Sequence, residues 1–304
     1  MINWGIAGLG KMGNAFANAI TEVKNSKLVG IASKSNYKLK TFSNNFKIEP
    51  ENRFTNYDEL LKSNKIDAIY ISTLNNTHVD LIINCIENKK KILCEKPIGL
   101  NLAQANLAFE MIKKHKIYFY EAIAYRAHPQ TKNLLELIHN GEIGKIHKIE
   151  ASFGFKVKRI KKDSRLFNKD FGGGAILDLG CYPISFFNLF ADKHNKISFK
   201  SVEGTHCYTG VDDDAKIELK IGNDIDAIGT VSLKKNLSNN CKIFGEKGSI
   251  VIPSPWLPHQ KSYIEVENNK SYYKQFTTTE KSVYAHQIEN IANLFVNNSL
   301  ENSN

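Results

Sequence analysis

Through the first hundred or so residues, short runs of β-branched and apolar positions alternate with stretches whose apolar residues recur every three or four positions. NWGIAGL (3–9), KLVGIAS (27–33), DAIYIST (67–73), KKILCEK (90–96) and KIYFYEA (116–122) have the first pattern and predict strands. MGNAFANAITEV (12–23), NYDELLKS (56–63), HVDLIINCIENK (78–89) and LAQANLAFEMIKKH (102–115) have the second and predict helices between them. Strands separated in this way by helices imply a parallel, doubly wound sheet with helices on both faces. After about residue 122 the rhythm changes. A helix through TKNLLELIHN (131–140) and a strand from Ile146 to Val157 lead into the glycine-led stretch GGGAILDLGCYPI (172–184). A run of strands follows, including FKSVEGTHCY, AKIELKIG, IDAIGTVSLK, CKIFGEKGSIVI and SYIEVE, several alternating with period two. Strand following strand with Gly or Asn at the turns predicts a mainly antiparallel sheet. The expected class is α/β: a doubly wound parallel-sheet domain over residues 1–121 and an α+β domain with a mainly antiparallel sheet over 122–304.

Composition narrows the function classes. The 304 residues are 42% hydrophobic and 24% charged, as in a globular protein large enough for two domains. Five scattered cysteines without a C-x-x-C spacing argue against a disulfide framework or a cysteine metal site, and no metal is expected. No leader precedes the first strand, and no apolar run approaches the roughly 20 residues that cross a bilayer, so a cytoplasmic protein without a membrane partner is expected. A net charge of +10 raises nucleic acid as a partner, but lysine is spread along the chain instead of being clustered in a stripe, and nucleic-acid binding is not expected. One local exception is KVKRIKKDSR (156–165), which reads either as a solvated loop or as a device that steers an anionic small molecule.

Between the first strand and the first helix stands GLGKMG, made of Gly8, Leu9, Gly10, Lys11, Met12 and Gly13. In this strand–loop–helix context the pattern is a dinucleotide fingerprint: one glycine for a tight turn, one for close approach to a pyrophosphate, one for close packing of helix on strand. An acidic residue about twenty positions on would bind a ribose 2′-hydroxyl. None occurs between Glu22 and Glu49, and the second strand instead runs into Ser33, Lys34 and then Lys38. Hydroxyls and ammonium groups suit a 2′-phosphate, so NADP is expected over NAD. In open α/β sheets ligands bind beyond the carboxyl ends of the strands. The segments standing there are STLNNTH, with Thr73, Asn75 and His78, and CEKPIG, with Glu95 and Lys96. We expect these five residues to bind the cofactor, Thr73 and Asn75 at its nicotinamide half; helix capping is the alternative for Asn75, Asn76 and Thr77. A lysine fixed between a glutamate and a proline at a strand end can donate to a reacting oxygen or lower the pKa of a nearby acid.

Asp178 and Tyr182, four residues apart, share one face if that turn is helical, and Pro183 belongs in a first turn or at a bend. By residue type alone they are either an N-cap and a buried tyrosine or a substrate-handling pair. GLGKMG, CEKPIG, YRAHP and GGGAILDLGCYPI, in this order, resemble the glucose-fructose oxidoreductase / inositol dehydrogenase / MocA family over most of the chain. Many members carry histidine where this chain has Tyr182, which is similar to the branch of dimeric dihydrodiol dehydrogenase and NADP-dependent xylose dehydrogenase. The resemblance implies a Rossmann NAD(P)-binding domain over 1–121, an open sheet in the domain over 122–304, reversible hydride transfer on sugars or cyclic polyols, and a homodimer or higher homo-oligomer formed through that open sheet. It implies Tyr182 as general acid/base, its phenol lowered from about 10 by Lys96, and Asp178 binding or orienting the substrate. It also implies that the glycines let the backbone pass close to the cofactor, and that Arg126 and Arg165 are cleft residues touching cofactor or substrate. His128, beside Pro129, is expected only to start a helix. Two rival readings are a ketoreductase or dehydrogenase of nucleotide-linked sugars and a non-catalytic NADP-binding regulator. Family members usually continue with a further closing helix after a segment like SVYAHQIENIANLFVNN, so the ending SLENSN is expected to be short or truncated.

Overall fold

The computed structural model describes residues 1–297; the ending SLENSN, on which the expectation of a short terminus falls, lies outside the described residues. The described residues divide into two compact units, Met1–Ala122 joined by residues 284–297, and Ile123–Val283.

The first unit is built on a six-stranded sheet in the order β3-β2-β1-β4-β5-β6, with every neighbouring pair parallel. Its strands are β1 (Ile2–Ala7), β2 (Ser26–Ala32), β3 (Arg53–Phe54), β4 (Ala68–Ile71), β5 (Lys91–Glu95) and β6 (Phe119–Ala122). Helices α1 (Lys11–Ala19), α2 (Asn36–Phe46), α3 (Tyr57–Lys62), α4 (His78–Glu87) and α5 (Leu102–His115) connect them. The central strands are apolar on both sides because both sides are covered. Trp4, Ile6, Phe16, Tyr70 and Leu93 form one buried cluster, and Ile69, Ile71, Ile82 and Ile92 another.

The second unit carries α6 (Pro129–His139), α7 (Cys181–Phe187) and eight strands: β7 (Ile146–Gly154), β8 (Ile197–His206), β9 (Asp212–Ile221), β10 (Ile225–Ser232), β11 (Cys241–Gly245), β12 (Gly248–Ile252), β13 (Lys261–Asn268) and β14 (Tyr272–Thr278). Their order is β14-β13-β12-β11-β7-β10-β9-β8, antiparallel except where β10 lies parallel to β7. Along β9, Ala215, Ile217, Leu219 and Ile221 turn inward, while Lys216, Glu218 and Lys220 turn away, the alternation that one covered face requires. His128 caps α6, its Nδ1 accepting from the Gln130 amide at 3.1 Å with Pro129 in the first turn, so it starts a helix as its sequence context suggested.

The last helix, α8 (Val283–Val296), differs from the expected division, which placed all of 122–304 in the second domain. It packs in the first unit, where Ala285, Ile288, Ile291, Ala292 and Phe295 make one apolar stripe against the cluster of Trp4 and Phe16. Phe295 lies 5.8 Å from the Trp4 ring, and Lys91 Nζ donates to the Phe295 carbonyl at 2.9 Å. The sheet face beside β1 needs this cover, and a stripe of that kind does not reveal from sequence which sheet it serves.

Candidate active site

At the head of α1, the three glycines of GLGKMG have different neighbours. Gly8 has φ +100°, and a Cβ there would lie 2.8 Å from the Ser72 carbonyl carbon and oxygen. At Gly13 a Cβ would lie 2.5 Å from the Gly8 carbonyl oxygen, so the helix can sit this close to the strand only without a side chain. Gly10 caps α1 in an extended conformation, and nothing stands within 4 Å of where its Cβ would be. Nothing in the protein itself therefore demands glycine at 10, whereas a ligand brought against the backbone would. With no acidic residue in the first turn of α1, the amides and dipole of that helix end fit the pyrophosphate of a dinucleotide.

At the end of β2 the structure brings Ser33, Lys34 and Lys38 into one turn. Ser33 Oγ is buried and accepts from the Ser35 amide at 3.2 Å, and Ser35 Oγ caps α2 by accepting from the Lys38 amide at 3.3 Å. Lys34 and Lys38 are exposed beside this helix start, whose first turn holds no carboxylate.

Beyond β4, Thr73 and Asn75 lie in the turn before α4, with the Thr77 and Thr73 hydroxyls 2.7 Å apart and Asn75 buried. His78 departs from its expected role as a cofactor contact. It is 0% exposed, its Nδ1 lies 2.8 Å from the Pro97 carbonyl oxygen, and its Nε2 lies 3.4 Å from that of Thr73. Burial holds its pKa below the ordinary value. A ring with no exposed surface cannot meet a ligand; His78 instead ties the 72–78 segment to CEKPIG. Glu95 ends β5 with its carboxylate accepting from the Tyr70 hydroxyl, and burial raises its pKa despite that bond. Lys96 follows, partly buried.

In the second unit Ile176–Gly180 wind as a π-helix that runs directly into α7, placing Asp178 in the first and Tyr182 in the second. Pro183 is the third residue of α7, directly after the π-helix, and its ring packs where Gly229 of β10 leaves room. Asp178 is 4% exposed and is paired with Arg165, whose Nη1 donates to Oδ1 at 2.8 Å. Tyr182 packs edge-on to Phe153, with ring centroids 5.1 Å apart, and 5.9 Å from Trp256. Trp256 is fixed by its own Nε1, which donates to the Ser152 carbonyl at 2.9 Å, and it also touches Tyr125 and Phe186. Tyr125 is buried and donates to Ser185 of α7 at 3.1 Å, while its neighbour Arg126 is exposed.

Two glycines of this stretch, Gly173 and Gly174, are required by the packing of the chain itself. A Cβ on Gly173 would fall 2.8 Å from the Leu166 and Asn168 carbonyl oxygens. Gly174 has φ +120°, and its Cβ would fall 2.2 Å from Asp212 Oδ1. Sequence reasoning passed over Asp212, one of three successive aspartates that open β9, and Trp256, in the proline-rich loop PSPWLP. The tryptophan's rarity in this chain was the only signal for the second, and the first gave none.

A parallel sheet with a glycine-rich loop ahead of α1, followed by a unit built on a mainly antiparallel sheet, has the layout of a dinucleotide-binding protein. Residues 2–122 match the oxidoreductase family with an NAD-binding Rossmann fold, and residues 131–251 match the GFO/IDH/MocA C-terminal domain. The chain is 32% identical over 258 residues to trans-1,2-dihydrobenzene-1,2-diol dehydrogenase of Xenopus tropicalis, an alignment covering 84% of this chain and 76% of the relative. The chain belongs to the Gfo/Idh/MocA oxidoreductase family. In fold it matches KijD10, a 3-ketoreductase from Actinomadura kijaniata crystallised with NADP and TDP-benzene, at TM-score 0.87 and 22% identity over 97% of this chain and 90% of that one. It also matches aldose-aldose oxidoreductase from Caulobacter crescentus at TM-score 0.88 and 18% identity, over 98% and 90% of the two chains. No helix among the described residues is long and apolar enough to cross a membrane.

Proposed function

We propose that the protein is an NADP-dependent oxidoreductase of a sugar or cyclic diol, interconverting a carbinol and a carbonyl. The observation that carries this reading is the sequence of events along one helical run: Asp178, enclosed and held by Arg165, and Tyr182 four residues on, held by Phe153 and Trp256. When bound, the dinucleotide supplies hydride exchange at its nicotinamide ring. Tyr182 takes the hydroxyl proton as the carbinol is oxidised and returns it to the oxygen as the carbonyl is reduced. Lys96 has the role of a cation favouring the ionised phenol, and Thr73, Asn75 and Glu95 of the first unit are assigned to the cofactor. Asp178 orients the substrate hydroxyl, and Arg126 and Arg165 are assigned to cofactor and substrate in turn. Gly8, Leu9, Gly10, Lys11, Met12 and Gly13 would hold the pyrophosphate, and Ser33, Lys34 and Lys38 the 2′-phosphate, for which the absence of any carboxylate between Glu22 and Glu49 is the main support. Dimerisation through the open sheet and a reducing, cytoplasmic setting complete the reading.

A second reading, a substrate carrying phosphate as in a nucleotide-linked sugar, is favoured by the loop 156–165. Its Val157 and Ile160 pack into a core cluster, and the Val157 amide donates to the Leu233 carbonyl at 2.9 Å. Lys156, Lys158, Arg159, Lys161 and Lys162 nevertheless form no ion pair among the described residues. A held loop with that many uncompensated cations suits an anionic ligand, in line with the TDP compound bound by KijD10.

The test is turnover of NADPH and NADP⁺, followed by nicotinamide absorbance, against aldoses, cyclic diols, 3-keto sugars and their phosphorylated counterparts, with Tyr182→Phe in parallel. Wild-type turnover that falls by roughly 10² or more in the variant supports the reading. Tight cofactor binding with no turnover of any substrate would instead support the non-catalytic regulator.

A further inference from the structure

The run that carries Asp178 and Tyr182 begins at a point fixed by a residue from another element. The Ile176 amide donates to Oδ2 of Asp212, the first residue of β9, at 2.7 Å. The other carboxylate oxygen, Oδ1, occupies the position a Cβ of Gly174 would need, and Gly174 itself has φ +120°. Carboxylate and missing side chain therefore form one fitted joint. Its neighbours Asp213 and Asp214 are spent elsewhere: Thr205 donates to Asp213 at 2.6 Å, and Ser232 to Asp214 at 2.9 Å.

The joint lies where displacement would propagate directly. The Asp178 amide donates to the Gly174 carbonyl at 3.1 Å, so residue 174 is the first backbone acceptor of the turn that sets Asp178. The Gly174 amide donates in turn to the Leu166 carbonyl at 2.9 Å, tying the segment that bears Arg165 to the same spot. Both members of the Arg165–Asp178 pair are thus referred, through backbone bonds, to one carboxylate on the sheet.

We propose that Asp212 is a positioning residue for the oxidoreductase reaction: by capping the Ile176 amide and filling the space above Gly174, it sets the start of the helical run and so the placement of Asp178 and Tyr182. The inference rests on the function proposed above. An N-terminal cap works as an acceptor and does not need a full charge, so Asn should replace Asp at 212 whereas Ala should not.

The test compares Asp212→Ala with Asp212→Asn in the full chain, by amide hydrogen exchange and by steady-state kinetics. In Asp212→Ala, exchange across 176–182 should rise about fivefold or more, with the first unit unchanged, as expected for loss of a cap that secures a local unit. Its kcat should fall roughly tenfold or more while the Kd for NADPH stays within about twofold, because misplacing a reacting group is costly and the cofactor loop is untouched. Asp212→Asn should restore both readouts. If the alanine variant does not fold, Asp212→Val, β-branched and suited to a strand, serves in its place. Exchange across 176–182 that is unchanged in the acceptor-free variant, or an asparagine variant as impaired as alanine, overturns the proposal. If the wild type turns over no substrate, the proposed function fails, and the exchange comparison alone decides the role of Asp212.

Discussion

The guanidinium of Arg165 donates to the carboxylate of Asp178 at 2.8 Å, with the arginine side chain 50% exposed and the aspartate 6% exposed. Taking a carboxylate out of water is tolerable only when a partner compensates it, and here the partner keeps half its surface for solvent or a ligand. Removing the arginine should cost more than its own exposure suggests, because it takes a charged partner from a carboxylate held out of water. We expect Arg165→Met to lose about 1–3 kcal/mol of stability by urea unfolding, with Asp178→Asn in the same chain recovering much of it. Arg165→Lys should fall between, since a lysine does not reproduce the planar fork. Additive losses in the double variant would mean that the pair is not coupled.

Gly10 and Gly13 make a sharper contrast, since they belong to the same six-residue loop. A methyl group at 13 meets the Gly8 carbonyl oxygen at 2.5 Å, whereas one at 10 meets nothing within 4 Å. Gly13→Ala should therefore lose about 1–3 kcal/mol of stability whether or not a cofactor is present. Gly10→Ala should melt close to the wild type but weaken NADPH binding by roughly tenfold or more, since its methyl group would stand where the pyrophosphate approaches. Calorimetric melting beside titration calorimetry separates the two effects. Unchanged NADPH affinity in Gly10→Ala would remove the loop from the cofactor site.

These two glycines also mark where the sequence was legible. The first unit could be read because each of its central strands is a short apolar run bounded by a helix, and GLGKMG has meaning through neighbours adjacent in sequence. Helix α2, NYKLKTFSNNF, was not predicted because its few apolar residues leave a weak stripe, and β14, YYKQFTT, because most of its side chains are exposed. In the candidate site, Asp178 and Tyr182 stand out as a pair by their spacing, but the packing reason for Gly173 and Gly174 does not. Their partners are the Leu166 and Asn168 carbonyls and Asp212, the last 38 residues beyond Gly174 and brought in only by β9. His78 was misread for a related reason: a histidine opening the helix after a strand looks available until the Pro97 carbonyl meets its ring.

The pair Lys34 and Lys38 gives the clearest handle on cofactor choice. Both stand exposed at the start of α2, which has no acidic residue in its first turn. If they neutralise a 2′-phosphate, Lys34→Glu with Lys38→Glu should lower the preference for NADPH over NADH by roughly tenfold or more, since charge-assisted hydrogen bonds are lost and repulsion is added. Affinity for NADH should change little. Fluorescence titration with both cofactors reads this directly, and a preference that stays constant would move the 2′-phosphate contact away from this turn.

The buried His78 imposes a pH dependence on stability whose sign follows from its environment. Burial lowers its pKa below the ordinary 6.5, so in the folded protein it stays neutral where the unfolded chain would already take up a proton. The unfolded state then binds more protons in that interval, and stability rises with pH. On acidification from neutrality the protein should lose stability as pH falls below about 6.5, the loss levelling off once pH drops below the depressed native value. Glu95 acts in the opposite sense: its raised pKa means that the folded state holds its proton longer, so its contribution declines as pH rises above its ordinary 4.5 toward the native value. Subtracting one variant from the wild type separates the two. Urea midpoints of wild type and His78→Gln, measured from pH 7 down to pH 5, should converge as pH falls if His78 titrates as described, because only the wild type loses this contribution. A gap between the two that is constant across the interval would mean that the imidazole keeps its ordinary pKa and is not held neutral by burial.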